Sequence, residues 1–381
     1  NTGLPADADS STDSEQKYLN ANLSFTLLDG RLSQKFIATR TETDNENYTS
    51  SPVNDITKGQ ISSLRTQTDI FFSEHTVSLI AELEQEDFTQ RGDDTFGDPN
   101  RDDKIDTVSV ASEYRFNGEV IDISASTRLD NNSDFDNAIS WRITAAWHAG
   151  DNTTLFGSIG EANTNPTFSE RFGFFTNFQG NPDLKPEHSF SLELGLRTQV
   201  MENIQISGSW FNATLDDEIN GFVFDPITSQ FTAANQQGES NREGLELSLT
   251  WQVSENLDLK ANYTWLDATE DLNAGGQREE VRRPRNIGSV NANYHMGVSN
   301  LNLNVSYNGE QLDDFFPPFP TPREVVTLDA YTLVTLSYLY QINETVQLNA
   351  RLENLLDENY EEVFGYSAPG FGGHFGINVS F

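Results

Sequence analysis

Apolar and polar residues alternate one by one along most of this chain, and that constrains its fold more than anything else in it. LNLNVSY from Leu301, VQLNARLEN from Val346, LELSLTWQV from Leu245, LDLKANYTW from Leu257, FSLELGLR from Phe190 and IQISGSW from Ile204 all show it, and the closing FGGHFGINVSF ends on it. Successive side chains of a strand point to opposite faces, so each segment reads as a strand with one greasy face and one wet face. About 17 such segments follow one another, beginning near Tyr18, Leu32, Ile61, Val77, Val108, Ile121, Ile139, Leu155, Phe190, Ile204, Leu245, Leu257, Val290, Leu301, Thr327, Val346 and Phe371. No helical period of comparable length competes with them.

The links between segments alternate too. Short ones, such as LDGR at Leu28, FNGE at Phe116, HAGDN at His148, MEN at Met201, SEN at Ser254, GVSN at Gly297 and INE at Ile342, read as tight turns whose Gly and Asn supply positive φ. Long acidic links rich in Gly, Pro and Asn lie between them: 43–59, 90–104, 163–187, 220–241, 270–284, 313–325 and 361–370. All turns then lie at one end and all loops at the other, as in an outer-membrane barrel with short periplasmic turns and long extracellular loops. Soluble β-sandwiches also alternate, but their Greek-key connections do not sort by length in this way, and no fixed repeat marks a propeller. Phe71, Phe116, Trp147, Trp251, Tyr294, Tyr338 and Phe381 fall near the turn ends, where a girdle at the lipid interface belongs. The expectation is an all-β, transmembrane, antiparallel up-and-down β-barrel. The odd residues from Phe375 should face lipid, and Gln347, Asn349, Arg351 and Glu353 the lumen. A shared core of Val346, Leu348, Ala350 and Leu352 between two sheets would contradict it.

Composition is compatible with that fold. No apolar run of about 18 residues exists to cross as a helix, and a mean hydropathy of -0.54 does not argue against a barrel, in which only alternate strand residues meet lipid. The formal charge is -36, with 59 Asp and Glu against 23 Lys and Arg, which argues against nucleic acid or anionic lipid headgroups as direct partners and makes divalent cations or cationic solutes easier company. Cysteine is absent, so disulfides, thiolate metal sites and thiol nucleophiles are excluded. NTGLPADADSSTDSEQ lacks the basic start and apolar centre of a signal peptide, so the amino end reads as processed or truncated. An odd strand count agrees: strands one and seventeen run the same way and cannot close an antiparallel barrel on each other.

GNPDLKPEHS, residues 180–189, has Pro182 and Pro186 fixing φ and Asn181 favouring a turn before a strand. Here the chain resembles the TonB-dependent outer-membrane receptors. Their barrels carry NPxLxPE, matched by Asn181, Pro182, Leu184, Pro186 and Glu187, before SxxxExG, matched by Ser189, Glu193 and Gly195. RLDNNSDF from Arg128 with Trp141 downstream, EANTNPTFSERF from Glu161, NREGLELS from Asn241, RRPRN from Arg282 and LENLLDENYEEVFGY from Leu352, which holds Asn354 and Tyr360, follow in order and extend the likeness over about two thirds of the chain. YEEVFGYSAPGFGGHFGINVSF is similar to the last loop and strand of the cobalamin receptor type, and a terminal Phe such as Phe381 closes barrels of this kind for recognition by the assembly machinery.

The resemblance implies a barrel of about 22 strands around an amino-terminal plug, energised by TonB, in the outer membrane of a Gram-negative bacterium, with lipid and lipopolysaccharide around a monomer. Its ligand would be a corrinoid such as cobalamin or an iron–siderophore complex. Residues 1–381 then read as a partial barrel domain, without plug, TonB box or about five first strands. The rival reading is a passive diffusion porin, whose strand number is roughly 16 to 18; an adhesive barrel is a third.

Candidate sites follow from the loops. Exposed aromatics need a ligand or loop packing, and Phe172, Phe174, Phe175 and Phe178 share one loop. Tyr366 in VFGYSAPG and Phe315 are the best single ligand contacts. Arg282, Arg283 and Arg285 either meet an anion, in the ligand or in lipopolysaccharide, or pair with Glu279 and Glu280. Asp7, Asp9 and Asp13 offer oxygen ligands for a structural Ca²⁺, but read more readily as a solvated acidic loop, without the glycine of an EF-hand. No other cofactor is expected. His75, His148, His188, His295 and His374 are scattered without triad or ligand spacing, so the chain reads as no enzyme.

Overall fold

The computed structural model describes residues 10–48, 55–92, 98–175, 178–272, 275–318, 321 and 323–380. The alternating segments form one antiparallel meander: β1 (Ser11–Leu27), β2 (Leu32–Tyr48), β3 (Asp55–Phe72), β4 (His75–Arg91), β5 (Arg101–Asn117), β6 (Ile121–Asn132), β7 (Ala138–His148), β8 (Thr153–Thr164), β9 (Glu187–Met201), β10 (Ile204–Asp216), β11 (Glu239–Ser254), β12 (Leu257–Asp271), β13 (Asn286–Met296), β14 (Ser299–Asn308), β15 (Tyr331–Gln341), β16 (Val346–Glu353) and β17 (Gly372–Val379). Each pairs with its successor. A short strand, Gln277–Glu279, pairs with the end of β12 and completes an 18-stranded sheet.

One expected strand needs correction. The segment near Thr327 is not the start of a barrel strand: Glu324–Leu328 pairs with Gln311–Phe315 in a separate hairpin, and the barrel strand β15 starts at Tyr331. Alternation runs through both pieces. Leu328, however, is buried at the loop end, whereas the apolar face of β15 is turned outward.

Every second connection is a tight turn, as at Leu28 to Gly30, where Leu28, Asp29 and Gly30 all take positive φ (52°, 54° and 88°). The others are loops at the opposite end. β16 and β17 show how the two faces sort. Val346 stands opposite Val379, Leu348 opposite Ile377 and Ala350 opposite Phe375, while Gln347 meets Asn378, Asn349 meets Gly376 and Arg351 meets His374. Apolar pairs therefore share one face and polar pairs the other. Phe375 and Ile377 remain 80% and 67% exposed, so no second sheet covers the apolar face. On the inner face hydroxyls and amides pair across strands, as in Ser124 with Thr144 at 2.9 Å, Ser207 with Ser248 at 2.6 Å and Asn291 with Asn302 at 3.1 Å. The molecule is inside out: its buried apolar side chains, Phe88, Ile105, Leu184, Ala233, Ala268 and Leu328, sit at the loop end, and its strand faces display Leu, Ile, Val and Phe outward.

Trp147, Tyr294 and Tyr338 stand on the outer face at the turn end, each directly opposite an apolar residue: Ile121, Leu257 and Leu301. Six positions further along the same faces come Trp141, Tyr263 and Tyr307, a second belt on the loop side. Its polar tips are satisfied: Trp141 Nε1 donates to Glu161 Oε2 at 3.0 Å, and the Tyr263 hydroxyl to Asn286 Oδ1 at 2.7 Å.

Among the described residues β1 pairs only with β2 and β17 only with β16. Both run from the loop end to the turn end. Strand length also varies round the sheet: β1 to β5 have 17 or 18 residues, β16 and β17 have 8.

Candidate functional site

The long connections fold onto one another above the barrel wall, and the sequence landmarks are the fastenings. In 165–186 a single helical turn, α1 (Phe168–Phe172), starts at a capping box: Thr167 Oγ1 accepts from the Glu170 N–H, and Glu170 Oε2 accepts from the Thr167 N–H. α1 carries the buried Arg171, which donates to Asp134 Oδ2 at 2.9 Å with its guanidinium over Phe135 and Phe172. SERF and NNSDF are thus two halves of one contact. Gln90, fully buried at the end of β4, donates to the Phe174 carbonyl at 2.7 Å and accepts from the Phe174 N–H at 3.1 Å, pairing with that backbone as a strand would.

The NPDLKPE turn clamps a hairpin that the sequence reading placed wholly within a long link. Ile219–Asp225 and Gln230–Asn235 pair antiparallel; Gln230–Asn235 then joins Phe178–Gln179, and this joins Phe174–Phe175, giving a four-stranded sheet across two loops. Asn181 Nδ2 donates to the Ala233 carbonyl, the Lys185 N–H donates to Asn235 Oδ1, and Glu187 Oε1 accepts from the Ile219 N–H at 2.6 Å. Leu184 is buried beneath; Pro182 and Pro186 hold the turn without needing N–H partners. Gly195 and Gly244 lie under the rings of Phe156 and Phe211, where a Cβ would collide.

Phe222 stacks on Phe231 with centroids 4.0 Å apart, Phe178 lies parallel to Phe222 at 6.5 Å, and Phe316 from a third loop meets Phe222 and Phe231 edge-on at 6.0 and 6.2 Å. Phe222 and Phe316 keep 51% and 44% of their surface open, so the plate is assembled but uncovered. At the hairpin tip the Asp225 carboxylate accepts from the Ile227 N–H and the Thr228 hydroxyl, and the Ile227 N–H holds it below its ordinary pKa.

The arginines of this cluster are paired with carboxylates. Arg282 donates to Asp313 at 2.8 Å, Arg283 lies 3.4 Å from Glu280 and Arg285 binds Glu279 and Asp267. Arg242 bridges Glu218 and Glu280, and Arg278 bridges Glu270 and Asp314, which Arg323 also reaches. The pairing with Glu279 and Glu280 is therefore found for Arg285 and Arg283, while Arg282 takes a partner 31 residues away. Asp313 also accepts from the Phe364 N–H at 2.7 Å, joining three loops.

Of the other expected contacts, Tyr366 is 60% exposed on a short strand paired with Glu361–Val363. Phe315 packs on Phe364 at 5.1 Å, Phe174 is held through its backbone, Phe175 pairs with Phe178 in the loop sheet, and Phe178 joins the plate. Phe222, Phe231 and Phe316 were missed; the alternation of GFVF and the doubled FF at 315–316 were the available signal. Asn354 ties its turn by bonding Glu358 N–H and carbonyl, and Tyr360 packs on Tyr331 at 4.4 Å. Phe381, Asp7 and Asp9 lie outside the described residues. Asp13 corrects the acidic-loop reading: it stands within β1, opposite Glu46, because polar alternation carries the ladder beyond the bilayer. Among the described residues no three His, Asp or Glu are placed to hold a metal. At the turn end the lumen wall has a polar concavity of about 500 Å³ lined by residues such as Gln205, Thr250, Gln252, Lys260, Asn291 and Asn293.

Residues 1–355 match the family model described as TonB dependent receptor-like, beta-barrel. The chain belongs to that family. This TonB-dependent receptor chain is 24% identical over 282 residues to the iron-regulated outer membrane virulence protein of Vibrio cholerae serotype O1, a match covering 67% of the chain and 41% of the relative. It is 23% identical over 349 residues to the vitamin B12 transporter BtuB of Photobacterium profundum, covering 87% and 52%. It spans about half the length of the curated relatives it matches. In structure it is similar to the siderophore receptor PirA from Acinetobacter baumannii (TM-score 0.81, 16% identity, 97% of this chain and 63% of that one) and to the copper transporter OprC (0.80, 16%, 97% and 66%). The receptor is an outer-membrane β-barrel protein, as its relatives are.

Proposed function

We propose that this chain forms the larger part of the barrel of an active-uptake receptor that captures a bulky chelate at its loops and draws it inward with energy from TonB. Cobalamin or a related corrinoid is the first choice of ligand and an iron–siderophore complex the second, in keeping with relatives named for vitamin B12 transport and for siderophores. The observation that carries the reading is the aromatic plate of Phe178, Phe222, Phe231 and Phe316, open to solvent at Phe222 and Phe316 and held above a polar lumen wall by fastenings from several loops. Flat rings give a large apolar ligand contact area at little entropic loss. Tyr366 completes the contact set, while Phe315, Phe174 and Arg282 support it from behind.

Cells carrying or lacking the gene, each with and without TonB, should be compared for accumulation of radiolabelled cyanocobalamin and ferric chelates. Uptake should require both. Accumulation that needs the barrel but not TonB, and rises linearly with concentration, would replace the reading with passive diffusion.

A further inference from the structure

We propose that the ligand accepted by the loop canopy carries zero or positive net charge and presents an apolar face, so that anionic chelates are refused. This rests on the uptake reading and narrows its ligand class. An anion needs a free guanidinium or ammonium, or the open N-terminus of a helix. The arginines of the folded loops are already committed: Arg171 to Asp134, Arg242 to Glu218 and Glu280, Arg278 and Arg323 to Asp314, Arg282 to Asp313, and Arg285 to Glu279. Diverting Arg282 would strand Asp313, whose side chain is 1% exposed, without its counter-charge. The start of α1 is closed by its own capping box. Lys185 has no carboxylate within ion-pair reach among the described residues, but it shares its cleft with Asp216, Asp217 and Glu239.

The plate itself points the same way. Aromatic faces carry negative quadrupole density and attract cations, as Arg101 and Arg171 over Phe172 already show. Asp225 at the hairpin tip and Glu324, which stands opposite Phe315 on the strand that leads to Phe316, add negative charge to the canopy. In a chain with formal charge -36 these carboxylates sum to a field that gathers cations and repels anions over roughly a Debye length, about 10 Å at 0.1 M salt.

The test uses the whole receptor as cells make it, in outer-membrane vesicles, with three probes: neutral cyanocobalamin, a ferric trihydroxamate bearing one free amine (cationic), and a ferric tris-catecholate (a trianion). At low ionic strength the trianion should bind at least about tenfold more weakly than the better of the other two, and salt should narrow the gap. Glu324→Lys should narrow it as well. A trianion that binds as tightly as the others, or a gap indifferent to both salt and Glu324→Lys, overturns the charge rule while leaving uptake standing. Failure of all three to bind, with no gene-dependent accumulation of any chelate by cells, removes the uptake reading and this inference together.

Discussion

Asp313 has no solvent exposure, yet its carboxylate takes hydrogen bonds from Arg282 Nε and from the N–H groups of Asp314 and Phe364. Asp313→Ala leaves the Phe364 N–H without its partner in the interior of the loops, at a cost of about 2 kcal/mol. Because the barrel ladder is untouched, the loss should appear as faster limited proteolysis within 354–371, with heat-modifiable migration unchanged. Tyr366 is the opposite kind of residue, paired through its backbone with Val363 but with its ring exposed, so Tyr366→Ala should weaken ligand binding about tenfold, or about 1.4 kcal/mol, with stability unaltered. Equal affinity in a direct binding assay would return Tyr366 to the loop scaffold. At this scale the sequence exposed one half of each contact. NPDLKPE is legible as a rigid turn because proline and asparagine act locally; that it grips Ala233 and Asn235 depends on a loop 50 residues away. The partner of Arg282 was not legible for the same reason: Asp313 lies 31 residues away.

Barrel strands were legible because lipid outside and water inside impose the same alternation on every one of them. The hairpin of Ile219–Asp225 and Gln230–Asn235 was not: its register slips between Asn220 and Val223, and it buries only Ala233 while Phe222, Phe224 and Ile227 stay exposed, so beyond GFVF the stretch INGFVFDPITSQFTAAN has no two-sided pattern. The segment at Thr327 failed conversely, alternation being present where the strand leaves the barrel. Asp216 and Glu239 stand opposite each other at the feet of the hairpin, so 217–238 can be replaced by a two-residue Asn-Gly turn without disturbing the β10–β11 register. The shortened receptor should still migrate as a folded, heat-modifiable barrel but lose chelate binding, since Phe222 and Phe231 go with the hairpin. Retained affinity would show that the plate is packing only.

Across the described residues the two outermost strands, β1 and β17, run in the same direction, so an all-antiparallel closure needs an odd number of further strands between them. An open edge in hydrocarbon leaves N–H and C=O groups unpaired at several kcal/mol each. The 381-residue chain refolded alone into detergent should therefore lack heat-modifiable migration, and a version supplied with the further strands should gain it; a compact, heat-sensitive band from the chain alone would overturn the strand count. The uneven strand lengths have a mechanical side. β1 to β5 carry the wall far beyond the roughly 10 residues a bilayer needs and are joined by the brief connections 49–54 and 92–100, whereas β8 to β17 carry the folded loops 165–186, 217–238, 272–285, 309–330 and 354–371. Shifting the first half means breaking a long ladder of backbone hydrogen bonds, and shifting the second means breaking short loop sheets, sliding rings and exchanging side-chain partners. One half is an anvil and the other a jaw, and the two hydrogen bonds between the Gln90 side-chain amide and the Phe174 backbone pin the jaw to the anvil.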